Sequence, residues 1–149
     1  MQKNKKKQSV IFFYLLLLIN FFFITSKLSA QQNTYIPDDK FEQVLIDLGY
    51  DNALDDYVTT SSIIAVTDLD IRFKDISDLT GIESFSGLIT LNCAFNNLTN
   101  LDLSNNTALK ELYCGFNSII NLDLSSNPAL TYLDSGFNKL DVLDVQNNK

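Results

Sequence analysis

Few residues in this chain could do chemistry. Cys93 and Cys114 are the two cysteines, 21 positions apart, and there is no histidine. Two thiols could form a disulfide or part of a metal site. A structural zinc takes about four nitrogen or sulfur ligands, so the pair alone falls short. Asp102, Asp123 and Asp144 recur at the same spacing and could attract Ca²⁺ or a basic partner. Calcium wants about 6–8 oxygens converging on one point, and a straight row of carboxylates does not converge. "DNALDDY", Asp51 to Tyr57, also gathers acids, but Ala53 and a missing glycine break the D-x-[DN]-x-[DN]-G pattern of a calcium loop. It reads as a solvated acidic connector. Without histidine the commonest general base is gone, and no G-x-S-x-G motif or phosphate loop is present. Two carboxylates can run glycoside hydrolysis, yet these aspartates belong to a repeated surface rather than a cleft. A hydrolase is therefore the weakest reading. The chain is read as no enzyme, with no cofactor and no metal.

The spacing of these residues comes from an internal repeat. Leu91, Leu112 and Leu133 are 21 apart, as are Phe95, Phe116 and Phe137, and Asn96, Asn117 and Asn138. The unit is "LNCAFNNLTNLDLSNNTALKE", then "LYCGFNSIINLDLSSNPALTY", then "LDSGFNKLDVLDVQNNK". Each unit holds two half-turns in which apolar residues alternate, the mark of short strands. Such a chain coils, with Leu91, Cys93, Leu98, Leu101, Leu103 and Leu109 pointing inward and equivalent residues stacking about 4.8 Å apart. One coil cannot close a core alone, so stability must come from neighbours. Two asparagine ladders, Asn96/Asn117/Asn138 and Asn106/Asn127/Asn148, are placed to bond backbone groups at the bends. The register puts Cys93 and Cys114 within disulfide reach, but parallel side chains point alike and the third equivalent is Ser135. Buried core thiols are the favoured reading, with pairing left open. The phenylalanine column is read as core or edge packing.

These residues resemble the leucine-rich-repeat family. The first half-turn matches L-x-x-L-x-L/C-x-x-N-x-L. The 21-residue unit is similar to a bacterial class with two nested half-repeats. The preceding stretch, with Leu69 and Leu91 at a spacing of 22, is similar to the internalin-like type. The openings "TYIPDDKFEQVL" and "LTGIESFSGLITLNC" resemble secreted Bacteroidetes-type surface proteins of this family. The resemblance implies an α/β repeat solenoid, a curved coil rich in short parallel strands. It also implies members that bind other macromolecules.

Upstream of the repeat, "PDDKFEQVLIDLGYD" predicts a short capping helix. Pro37, Asp38 and Asp39 start it, Gly49 stops it, and Phe41, Val44, Leu45 and Leu48 form its apolar face. "NALDDYVTTSS" follows as a polar connector. Residues 1–30 read as a secretory signal: Lys3, Lys5, Lys6 and Lys7, then apolar Val10 to Ile24, then "SKLSA". The domains are thus 1–30 signal peptide, 31–62 helical cap and connector, and 63–149 repeats, in an array expected to be truncated at its C-terminus. Export through the Sec pathway would leave the product secreted or at the cell surface, with no membrane insertion after signal removal. Five of the eleven basic residues lie in residues 1–30 and all eighteen acids lie beyond, so the rest carries a charge near −12. Such a polyanion repels nucleic acid and anionic membranes.

Varied residues on a repeated frame are where a solenoid places recognition. The outward positions of the first strand are Thr90, Asn92 and Ala94, then Glu111, Tyr113 and Gly115, then Tyr132, Asp134 and Gly136. Tyr113 and Tyr132 are the anchors of the expected binding face, because tyrosine is enriched at hot spots. Asn92, Glu111 and Asp134 are its polar rim. The expected function is non-catalytic binding of a protein or glycan. The alternative is a structural spacer within a larger surface protein.

Overall fold

The structure is a computed structural model that describes residues 32–148. The expected signal segment lies outside the described residues. Four short parallel strands form the main sheet in the order β3 (Asp68–Asp70), β4 (Thr90–Asn92), β5 (Glu111–Tyr113) and β7 (Tyr132–Asp134). Their register pairs Leu69 with Leu91, Leu91 with Leu112, and Leu112 with Leu133. The period of the sequence is thus the pitch of the coil, one strand per turn. A second pair, β6 (Asn121–Asp123) and β8 (Val142–Asp144), is also parallel and aligns Leu122 with Leu143. The equivalent Asn100–Asp102 stretch of the preceding coil forms no strand, so the second half-turn is regular only in the later coils.

The central leucine of each strand faces inward. Leu91 and Leu112 are fully buried, with Leu98, Leu103, Leu109 and both cysteines, in one continuous core. Both asparagine ladders bond backbone as the bends require. Asn96 Nδ2 donates to the carbonyls of Ile71 and Cys93, while its Oδ1 accepts from the N–H groups of Lys74 and Ile76. Asn127 Nδ2 donates to the carbonyls of Leu103 and Asn106, both at 2.9 Å. Each asparagine therefore ties its own bend to the coil before it.

The cap starts with β1 (Asn33–Tyr35) and α1 (Asp39–Asp47). Asp38 caps the helix: its Oδ1 accepts from the Lys40 and Phe41 N–H groups. Phe41, Val44 and Leu45 are buried and extend the repeat core, with the Phe41 ring 6.2 Å from that of Phe85. Leu48 departs from the predicted apolar face. It is the C-cap residue and 48% exposed, because the helix ends before its side chain can turn inward. The polar connector is also more ordered than its composition predicts. Tyr57–Thr59 is a strand, β2, antiparallel to β1, and Thr60–Ile63 forms a helical turn, α2. Val58 and Ile63 are buried there. Gly81, at φ 102°, lets the loop ahead of a 3₁₀ turn (Ile82–Ser84) lie against β1. A Cβ there would meet the Ile36 side chain and stand 2.7 Å from the Tyr35 carbonyl oxygen.

Candidate functional site

The outward residues of the main sheet fall into two rows flanking the buried leucines. Strand register places Asp68, Thr90, Glu111 and Tyr132 in one row, and Asp70, Asn92, Tyr113 and Asp134 in the other. All five expected contact residues, Asn92, Glu111, Tyr113, Tyr132 and Asp134, therefore share one sheet. Tyr113 and Tyr132 touch diagonally across β5 and β7, with ring centroids 4.8 Å apart and planes tilted by 34°. Tyr113 Oη donates to Glu111 Oε2 at 3.2 Å. Tyr132 is 48% exposed, and Asn92, Glu111 and Tyr113 are half-buried. Ala94 and Gly115, grouped with the outward positions by alternation, are buried instead, because the strand ends two residues before each and the chain bends there.

The second row also has a local structural task. Asp70, Asn92 and Asp134 each accept, through Oδ1, the N–H two residues on, at Arg72, Ala94 and Gly136. Such short side chains satisfy donors at a turn. Tyr113 stands in that register position without an acceptor to offer the turn, so its side chain is free to lie over the sheet. Partial burial, then the nearby Glu111, Tyr132 and Asp134, pushes its hydroxyl above the usual phenol range.

Cys93 and Cys114 are free and buried. Burial, and then Cys114, raises the Cys93 thiol well above its ordinary value. Burial, and then the charge of Asp134, pushes Cys114 up to about 12. Both stay protonated at neutral pH, which makes them poor nucleophiles. The aspartate row is locally engaged. Asp102, Asp123 and Asp144 accept the N–H groups of Ser104, Ser125 and Gln146 at 2.9, 2.9 and 3.0 Å. Hydrogen bonds from Ser104 hold the Asp102 carboxyl below its usual range, and those from Ser125 do the same for Asp123. A cleft of about 510 Å³ opens between Asp78, Glu83 and Asp102. Among the described residues no three Cys, Asp or Glu side chains are grouped as metal ligands would be. In the acidic connector, the buried Glu42 bonds the N–H groups of Asp55 and Tyr57 through Oε1, so a helix side chain organises that loop.

The phenylalanine column lies at the surface. Phe73, Phe95, Phe116 and Phe137 stack at centroid distances of 4.2–4.3 Å and are 63, 40, 43 and 77% exposed. Each adopts a left-handed backbone, φ 56–58°, which is costly for a residue with a Cβ. Stacking hides most ring faces and leaves the edges to solvent. Sequence reasoning missed Phe73, although it precedes Phe95 by the 22 residues that separate Leu69 from Leu91.

Strand stacking, inward leucines and asparagine ladders define a leucine-rich-repeat solenoid fold of about four turns. It is similar to internalin J of Listeria monocytogenes serotype 4b (strain F2365), with 39% identity over 75 residues, half of this chain and 8% of that protein. A solved functional domain of InlJ from Listeria monocytogenes, described as including a cysteine ladder, superposes with a TM-score of 0.71. There the identity is 38%, over 81% of this chain and 28% of that one. Internalin InlF from Listeria monocytogenes shares the fold, with a TM-score of 0.67 and 24% identity over 78% of this chain and 36% of that one. This chain therefore spans less than a third of the InlJ domain and a small fraction of whole internalin J. No family model matches. Among the described residues no helix is long and apolar enough to cross a membrane.

Proposed function

We propose that this chain is a non-catalytic binding module, secreted or held at the cell surface, that engages a protein through the outer face of β4, β5 and β7. Residues 1–30 would direct export, 31–62 cap the array, and 63–149 carry the nested 21-residue repeats of a Bacteroidetes-type protein. The observation that carries the reading is the Tyr113–Tyr132 pair. Two touching, partly exposed tyrosines occupy positions where the frame needs no aromatic. Paired aromatics on a varied surface suit a hot spot, with Asn92, Glu111 and Asp134 beside them.

A binder isolated on the immobilised full chain from envelope or host-surface extract tests this. Its affinity for Tyr113→Ala and Tyr132→Ala variants should fall at least about tenfold, with circular dichroism melts unchanged. Retained affinity would sink the proposed face. Failure of any extract to yield a saturable binder would favour the spacer reading.

A further inference from the structure

We infer, resting on the face just proposed, that the Tyr113–Tyr132 pair together with Glu111 and Asp134 forms a recognition site for an arginine side chain of a protein partner. The four residues make a two-by-two block on adjacent strands. Glu111 registers with Tyr132, and Tyr113 with Asp134. The tyrosines occupy one diagonal and touch. The carboxylates occupy the other. Strands about 4.8 Å apart and next-but-one residues about 6.6 Å apart along a strand place those two corners about 8 Å from each other. An aromatic floor therefore lies between two anionic corners.

A planar cation fits that arrangement. Guanidinium stacks on aromatic rings and donates in a fork that matches carboxylates, whereas ammonium is a compact, strongly hydrated charge. Among the described residues neither carboxylate is in a salt bridge, the one ion pair there being Arg72 with Asp70. Glu111 accepts the Tyr113 hydroxyl through one oxygen, and Asp134 accepts the Gly136 N–H through Oδ1. Each keeps an oxygen for an incoming donor. Gly115 helps to keep the Asp134 corner open, since a Cβ there would stand 3.2 Å from Asp134 Oδ1. Among the described residues these carboxylates belong to no group of three that could hold a metal ion. Acidic glycans are repelled by both corners and by the charge near −12 beyond residue 30.

The test titrates the isotope-labelled full chain with acetyl-Gly-Arg-Gly-amide and with its lysine and citrulline counterparts, followed by NMR at the tyrosine rings and side-chain carboxyls. The arginine peptide should move Tyr113, Tyr132, Glu111 and Asp134 signals in a saturable way. The lysine peptide should bind about threefold or more weakly and the uncharged citrulline peptide about tenfold or more weakly. Glu111→Gln with Asp134→Asn, which keeps size and the turn-capping oxygen, should weaken arginine binding about tenfold without changing the melt. Equal binding of citrulline, shifts confined to another surface, or an unaffected double variant would each overturn the inference. If lysine binds as tightly as arginine, the choice of guanidinium is wrong. A captured partner that depends on Tyr113 and Tyr132 but is not displaced by the arginine peptide would overturn this inference and leave the binding face standing. Arginine binding at the block with no macromolecule depending on it would uphold the inference and remove the proposed function.

Discussion

Asn127 shows how much one inward polar residue can hold. It is fully buried, and its Nδ2 donates to two carbonyls of the preceding coil. Its Oδ1 has no partner among the described residues, so the two donors explain its presence. Asn127→Ala removes one of two hydrogen bonds from each of these carbonyls, since Leu103 and Asn106 also accept the N–H groups of Asn106 and Leu109. At about 0.5–1.5 kcal/mol per bond, the expected loss is about 1–3 kcal/mol in urea unfolding. Asn127→Asp keeps the shape, cannot donate, and should lose at least as much; a loss below about 0.5 kcal/mol would mean that the amide does not tie the coils. This residue was legible in the sequence because it repeats at a bend where strands leave backbone groups unpaired. The phenylalanines were half legible. Their spacing showed a column, but residue type gives no sign of a positive φ, and that backbone state turns the rings outward. Tyr113 and Tyr132 were legible as outward positions by alternation. Their diagonal contact was not, because it depends on side chains leaning across the sheet.

At the scale of elements, the cap is fastened by one carboxylate. Asp38 Oδ1 caps α1, and Oδ2 accepts the Ser77 and Asp78 N–H groups and the Ser77 hydroxyl at 2.8–3.0 Å. Partial burial works against its charge. The backbone donors of Ser77, Phe41 and Asp78 and the Ser77 hydroxyl outweigh that burial and hold the carboxyl below its usual range. A depressed folded-state pKa gives stability that is complete above the unfolded value of about 3.9 and is lost as pH falls through the folded value. The chain should therefore weaken between about pH 5 and pH 2. Asp38→Ala should cost about 2 kcal/mol at neutral pH, and its penalty relative to wild type should shrink in acid. A penalty that does not change with pH would show that the shape of the side chain, not its charge, does the fastening. The helix was legible from Asp38, Phe41 and Gly49. β2 was not. Tyr57–Thr59 is too short to show a period, and it is a strand only because Asn33–Tyr35, some two dozen residues earlier, supplies its partner.

At the scale of the whole described molecule, the solenoid has contacts only between neighbouring coils, so local stability should follow local burial. Leu91 and Leu112 are fully buried between strands on both sides, whereas Leu143 is 41% exposed and Val142 and Val145 are 59 and 45% exposed. Leu112→Ala removes a side chain enclosed by two coils and should cost about 2–5 kcal/mol. Leu143→Ala removes one that water already reaches, and should cost about 1 kcal/mol or less. Hydrogen exchange should show the same gradient. The Cys93 N–H, bonded to the Tyr113 carbonyl at 2.8 Å, should exchange far more slowly than the Leu124 N–H, whose bond to the Asp144 carbonyl is 3.2 Å. If stability instead belonged to one cooperative unit, both amides would exchange through the same global opening, and both substitutions would shift them equally. A gradient has a functional consequence as well. The Tyr113–Tyr132 block joins β5 to β7, between the fully buried Leu112 and the partly buried Leu133. A partner bridging those two strands would add contacts across the step where coil-to-coil burial begins to fall. Binding there should slow exchange in β7 more than in β4, and equal slowing in the two strands would show that the partner does not bridge that step.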